Sequence, residues 1–325
     1  MQTIPFLVAF LAVGLSAMAA ETERSADPGP LPVATRKLDW TDASRERSVP
    51  VKIYFPKDGP GPFPLIIFSH GLGGTRDGYE YLGHHWASHG YVSVHLQHPG
   101  SDDAVWRGQG FNAINRRMSQ AAANPTNAIN RPLDVRFAID QMLRLNAEPG
   151  EFHGKIDPSR IGMAGHSFGA YTTLAVAGEV FGPGERSLSD PRVKAAIAMS
   201  SPAPRLNPDR ALSQINIPIF HFTGTDDSSP IGGTTAAERR IPFDKIHGPD
   251  QFLVTFAGGD HMVFAGRSGL RGNRSQDPVF HDLILSSSTA FWDGYLKDIP
   301  TARAWLTTGA FSKALGKEGV FEKKP

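Results

Sequence analysis

No cysteine occurs among the 325 residues. That excludes disulfides, thiolate metal sites, a cysteine nucleophile and a lipid on an N-terminal cysteine. An excess of one charge is also missing. Thirty-three Lys and Arg stand against 32 Asp and Glu, for a net charge of +1, too weak a field to point to nucleic acid. No phosphate-binding Gly-x-Gly-x-x-Gly or Walker pattern is present. Nor does any apolar run reach the roughly 20 residues needed to cross a bilayer. What remains is 40% hydrophobic and 20% charged, the mix of a globular chain long enough to bury a sizeable core.

The first twenty residues read differently from the rest. Met1 to Ala20 carry no charged side chain, Ile4 to Leu15 form an apolar run of about twelve, and Ala17-Met18-Ala19 has the small-x-small form of a cleavage site. Glu21, Thr22, Glu23 and Arg24 then begin a polar segment. This predicts a cleaved export signal over residues 1–20 and a secreted or periplasmic mature chain over 21–325. The amino-terminal region has no Lys or Arg, which leaves an uncleaved anchor or a different start site as alternatives.

Asp27-Pro28-Gly29-Pro30-Leu31-Pro32 is a stiff leader. Beyond it, strand-like and helix-like segments alternate. Val49 to Phe55 alternates like an edge strand. Phe63 to Ser69 and Tyr91 to Leu96 are short continuous apolar runs, as in strands buried on both faces. Leu133 to Leu145 has Val135, Ala138, Ile139, Met142 and Leu143 on one helical stripe. Arg160 to Gly165 is a strand running into a tight turn, with a helix over Ala170 to Ala177. Val193 to Met199, Ile217 to Thr223 and Gln251 to Phe256 are further strands, and about Leu283 to Leu296 a final helix. The expected fold is one α/β domain, a doubly wound, mostly parallel sheet with helices on both faces. Residues 104–128, polar throughout, read as an insertion or partial cap.

Gly165-His166-Ser167-Phe168-Gly169 matches the Gly-x-Ser-x-Gly nucleophile elbow. The turn holds its serine in a strained backbone conformation that leaves room only for glycine on either side. The pentapeptide alone is a weak signal, since a glycine-rich turn whose serine caps the following helix has the same form. Here it lies between a predicted strand and a predicted helix, the context the motif requires. An acid and a base should follow in chain order. Asp226 and Asp227 come directly after the strand ending near Gly224, and His261 follows the next strand, in Gly258-Gly259-Asp260-His261. Ser167, Asp227 and His261 are the candidate catalytic residues, with Asp226 the alternative acid and Asp260 read as a turn residue. Ser69-His70-Gly71-Leu72-Gly73-Gly74 follows the first buried strand. Backbone N–H groups of Leu72 and Phe168 are the candidate oxyanion donors.

Twelve histidines raise a metal reading, with His85 and His89 four apart on a probable helix. No carboxylate stands in zincin spacing, so structural or surface roles are expected and no metal or cofactor is implied. His98, in His98-Pro99-Gly100-Ser101-Asp102, and His166 are candidate substrate-lining residues. Arg116-Arg117 and Lys323-Lys324 read as solvated surface.

Phe68-Ser69-His70-Gly71-Leu72-Gly73, then Ala87-Ser88-His89-Gly90-Tyr91 and the elbow pentapeptide, resemble the platelet-activating-factor acetylhydrolase family. They are similar also to bacterial exported hydrolases often called "predicted dienelactone hydrolases". The resemblance runs from about Val49 to Leu306. It implies an α/β-hydrolase fold, no cofactor, an oxyanion pair at Leu72 and Phe168, and hydrolysis of short-acyl or otherwise accessible carboxylic esters. Two departures stand beside it. The animal acetylhydrolases carry their acid after an earlier strand, where this chain has Met199-Ser200-Ser201-Pro202, so the acid falls to the Asp226-Asp227 site. Authentic dienelactone hydrolases use a cysteine nucleophile, which this chain lacks.

Together these features predict an exported serine esterase working through an acyl-enzyme on a small-molecule, lipid or polymer ester. A peptidase or amidase with the same triad, and a non-catalytic binding protein of the same fold, are the alternatives. Substrate identity and oligomeric state are not encoded in any pattern of the sequence.

Overall fold

Residues 24–182, 184–229, 231–266 and 275–324 are described by the computed structural model; the predicted export signal lies outside them. Eleven strands are formed there: β1 (Val33–Asp42), β2 (Arg47–Pro56), β3 (Phe63–Ser69), β4 (Val92–Leu96), β5 (Ile156–His166), β6 (Val180–Phe181), β7 (Arg186–Ser187), β8 (Val193–Met199), β9 (Ile219–Asp226), β10 (Gln251–Asp260) and β11 (Gly319–Lys324). The α-helices are α1 (Glu80–Ser88), α2 (Phe111–Ala123), α3 (Pro125–Ala147), α4 (Phe168–Ala177), α5 (Pro208–Ala211), α6 (Ile241–Lys245), α7 (Asp277–Tyr295), α8 (Pro300–Thr307) and α9 (Ala310–Leu315).

Nine strands make one sheet in the order β1-β2-β4-β3-β5-β8-β9-β10-β11, and β6 and β7 pair separately. The block from β4 to β10 is parallel. β1, β2 and β11 join it antiparallel. Sequence explains the centre directly. Every residue of β3 is buried, as a strand covered on both faces must be. Its side chains alternate. Leu65 and Ile67 pack with Val135, Ile139 and Met142 of α3, whereas Ile66 and Phe68 pack with Leu82 and Trp86 of α1 and Trp292 of α7. Helices therefore cover both faces, and the chain has the α/β-hydrolase fold.

Two expectations are corrected. Val49 to Phe55 is not an edge strand, because β1 pairs along its whole length on the outer side. β1 carries Arg36, Lys37 and Asp39 on exposed positions, so its pattern of apolar residues is too thin to announce a strand. At the opposite edge β11, with Glu322 and Lys323, is hidden by the same polarity. Finally, the helix expected from Leu133 begins at Pro125, where the Asn124 side chain accepts the Thr126 N–H at 2.9 Å. The chain continues helical through Pro132. Residues 104–128 thus form α2 and the first turn of α3, and Trp106, Met118 and Ala122 from this stretch line the cleft described next.

Candidate active site

The parallel strands end level with one another. Ser69 pairs with Gly165, His166 with Met199, and Met199 with Phe222. The loops that follow all open onto the carboxyl edge of the sheet, where ligands bind in open α/β folds. Ser167 sits directly after β5 with φ 57° and ψ −115°, a conformation that costs a non-glycine residue on the order of 1–3 kcal/mol. Close packing explains the flanking glycines. A Cβ on Gly169 would lie 1.8 Å from the Ser69 carbonyl oxygen, and one on Gly165 would lie 2.2 Å from that of Gly169.

Three side chains from three loops meet here. Ser167 Oγ lies 3.0 Å from His261 Nε2, and His261 Nδ1 lies 2.8 Å from Asp227 Oδ1. An ionised carboxylate only accepts, so Nδ1 carries the proton and Nε2 is left to accept the serine hydroxyl. Asp227 is fully buried. Its Oδ2 accepts from Ser200 Oγ at 2.5 Å and from Thr223 Oγ1 at 2.9 Å. Arg239, also buried, donates from Nε to the Asp227 carbonyl and from Nη1 to that of Ser200. Its Nε stands 3.4 Å from Asp227 Oδ1. Asp226, by contrast, is exposed and lines the cleft, and Asp260 caps the Met262 N–H after β10.

The loop after β3 presents its backbone to the same point. Gly71 N–H donates to the Tyr79 hydroxyl, Gly73 N–H to the Ser101 carbonyl and Gly74 N–H to the Gly71 carbonyl. Leu72 N–H makes no such bond among the described residues. Phe168 is the first residue of α4, a position whose N–H has no partner within its helix. Leu72 and Phe168 both line the cleft beside Ser167. The Tyr79 hydroxyl, which accepts from Gly71, is also hydrogen-bonded to His166 Nδ1 at 2.8 Å. His166 lines the cleft and packs against His261, ring centroids 4.7 Å apart and planes tilted by 44°. Burial, reinforced by the neighbouring His261 and Arg239, holds its pKa well below the ordinary histidine value, so the ring stays neutral.

His98 is corrected. It is fully buried beneath the loops, not on the cleft wall, with Nε2 2.9 Å from Ser69 Oγ and Nδ1 2.9 Å from Asp134 Oδ2. The physical reason is Arg131, a wholly buried guanidinium that draws polar partners around it. It donates to Thr172 Oγ1 at 3.0 Å, Ser101 Oγ at 2.9 Å, Ser69 Oγ at 2.9 Å and the His70 carbonyl. Its face lies 4.6 Å from the Phe168 ring centroid. Arg131 thereby ties the β3 loop, the β4 loop and α4 together behind the nucleophile. The sequence did carry a trace of this. Arg131 continues the buried stripe of Val135, Ala138, Ile139 and Met142 by one helical turn, which places a charge on an inward face.

The cleft in front of Ser167 has a volume of about 1750 Å³. Among the described residues no group of three or more His, Cys, Asp or Glu side chains is placed to hold a metal ion. No helix among them is long and apolar enough to cross a membrane. His85 and His89 pack against each other with their rings tilted, centroids 4.4 Å apart.

Residues 43–109, from the turn before β2 to the start of the cap segment, match the family described as platelet-activating factor acetylhydrolase, isoform II. Curated relatives match more of the chain. The platelet-activating factor acetylhydrolase of Canis lupus familiaris is 26% identical over 231 residues, covering 62% of this chain and 48% of that protein. That of Cavia porcellus is 25% identical over 279 residues, covering 76% and 61%, and that of Bos taurus 26% over 230, covering 62% and 48%. The chain therefore spans about half to three-fifths of the length of the relatives it matches, and is similar to them as an α/β-hydrolase.

Proposed function

We propose that this chain is a serine hydrolase that cleaves carboxylic esters through an acyl-enzyme on Ser167. One observation carries the reading: the continuous hydrogen-bonded path from Ser167 Oγ through both nitrogens of His261 to Asp227. Ser167 Oγ attacks the ester carbonyl carbon while Nε2 of His261 takes its proton. The imidazolium that forms faces Asp227, whose second oxygen is already held by Ser200 and Thr223, so the acid is fixed in place. The carbonyl oxygen, becoming anionic, is met by the N–H groups of Leu72 and Phe168. His261 then returns the proton to the departing alcohol. Water repeats the sequence on the acyl-enzyme, releasing the carboxylic acid and restoring Ser167. No cofactor enters this cycle.

Similarity to acetylhydrolases supports a short acyl group, with the rest of the cleft left to the alcohol portion. The uncharged first twenty residues and their small-x-small end support export before the enzyme acts. Ser167→Ala should lower kcat on a short-chain ester by ~10³-fold or more while leaving the protein folded. A drop below about tenfold would remove Ser167 from the reaction.

A further inference from the structure

At the far end of α4 from Ser167 lies a carboxylate that no part of the reaction uses. Glu179, just past the helix cap Gly178, is 5% exposed and lines the cleft. Among the described residues its side chain makes no hydrogen bond or ion pair, which is rare for a carboxylate this buried. Its backbone N–H is spent on the Leu174 carbonyl, and the carboxyl-terminal end of α4 adds its own negative potential. Burial alone pushes the Glu179 carboxyl up to about 8. Between the two ends of the helix runs an aromatic wall. Phe168 and Tyr171 lie 5.6 Å apart and Tyr171 and Phe181 5.7 Å, centroid to centroid, and all three line the cleft.

We propose that Glu179 is a subsite for a cationic N–H group, an alkylammonium or guanidinium, at the remote end of the ester's alcohol portion. The aromatic wall would carry the apolar spacer. A cation supplies what Glu179 lacks, an opposite charge and a hydrogen-bond donor. Aromatic faces beside it favour the same sign of charge. Helix length fixes the reach. Ten residues at 1.5 Å each put the cation roughly 15 Å from the ester carbonyl. The inference rests on the esterase reading for the position of the scissile bond, but not for the binding of the cation.

The test uses acetate esters of linear alcohols of graded length that end in ammonium, trimethylammonium or methyl. At the length that spans the wall, the ammonium ester should show kcat/KM about tenfold or more above its methyl counterpart. Trimethylammonium should fall between them, because it has charge but no donor. In Glu179→Gln the ratio of ammonium to methyl ester should fall to about one. Calorimetry with Ser167→Ala and the free amino alcohol separates the two readings. Tighter binding of the amino alcohol than of the plain alkanol, lost when Glu179→Gln is added, upholds the subsite even if none of the esters is cleaved. Cleavage of all three esters with no preference for ammonium, or a preference that survives Glu179→Gln, overturns it and leaves the esterase reading standing. Should Glu179→Gln not fold, the wild-type comparison of ammonium with methyl ends decides alone.

Discussion

Ser200 Oγ donates to Asp227 Oδ2 at 2.5 Å, so the first residue after β8 holds the acid carried by β9. The Ser200 N–H also donates to the Phe222 carbonyl at 2.7 Å, and its φ is 54°. In the animal acetylhydrolases that this chain resembles, the acid itself follows the earlier strand. Here a hydroxyl stands at that point and reaches across to a carboxylate one strand further on.

Removing that hydroxyl leaves a buried charged acceptor one partner short, which costs about 1–3 kcal/mol. Ser200→Ala should therefore lower kcat/KM on a short ester by about tenfold to a hundredfold. Steady-state kinetics checks it, and an unchanged value would mean that Thr223 and His261 hold Asp227 unaided.

The two adjacent aspartates are told apart by burial. Asp227→Asn should cost about 10³-fold or more in kcat, because the amide leaves His261 in the wrong tautomer. Asp226→Asn, on the exposed side of the strand end, should cost no more than about threefold. The reverse ranking would move the acid by one residue.

Arg131 is a matter of stability. Truncating a buried guanidinium that holds four oxygens removes about 3–5 kcal/mol. Arg131→Ala should shift the urea midpoint accordingly, and Arg131→Lys should recover only part, because one ammonium cannot reach three loops. Wild-type behaviour of the lysine variant would contradict this.

Neutral histidines surround the one that works. Burial holds His70 and His166 well below the ordinary value and His98 at about 4. With those rings neutral, they should add no step of their own to the acid side, and log kcat/KM for an uncharged ester should rise there with a slope no steeper than one. A slope of two would show a second titrating group.

Glu179 makes a stability prediction of definite sign. Its folded pKa of about 8 lies above the ordinary glutamate value of 4.5, so the folded state prefers the protonated form. Stability is full below about pH 4.5, falls as pH rises toward 8, and stays reduced above it. Glu179→Gln should be near neutral at pH 4 and stabilise by at least about 1 kcal/mol at pH 9. Denaturation at both pH values measures it, and destabilisation at pH 9 would contradict it.

β3, β8 and the glycine-flanked turn at Ser167 are legible in the sequence, because each shows itself locally. A buried strand is a continuous apolar run, and a strained turn needs its glycines. What is missed depends on contacts between distant segments. β1 and β11 are strands only because a neighbour offers them an edge. His98 looked like a cleft residue from its place after β4, and nothing nearby in sequence reveals that Asp134 and Ser69 enclose it. The burial of Arg239 and Glu179 likewise depends on surroundings that no local pattern announces.

Labelling with a serine-directed phosphonate, followed by peptide mass analysis, tests the central claim most directly. The account predicts one phosphonate per chain, on Ser167, with loss of ester hydrolysis in proportion to labelling. It also predicts that His261→Ala labels far more slowly. Full labelling elsewhere, or undiminished hydrolysis by the fully labelled protein, would contradict it.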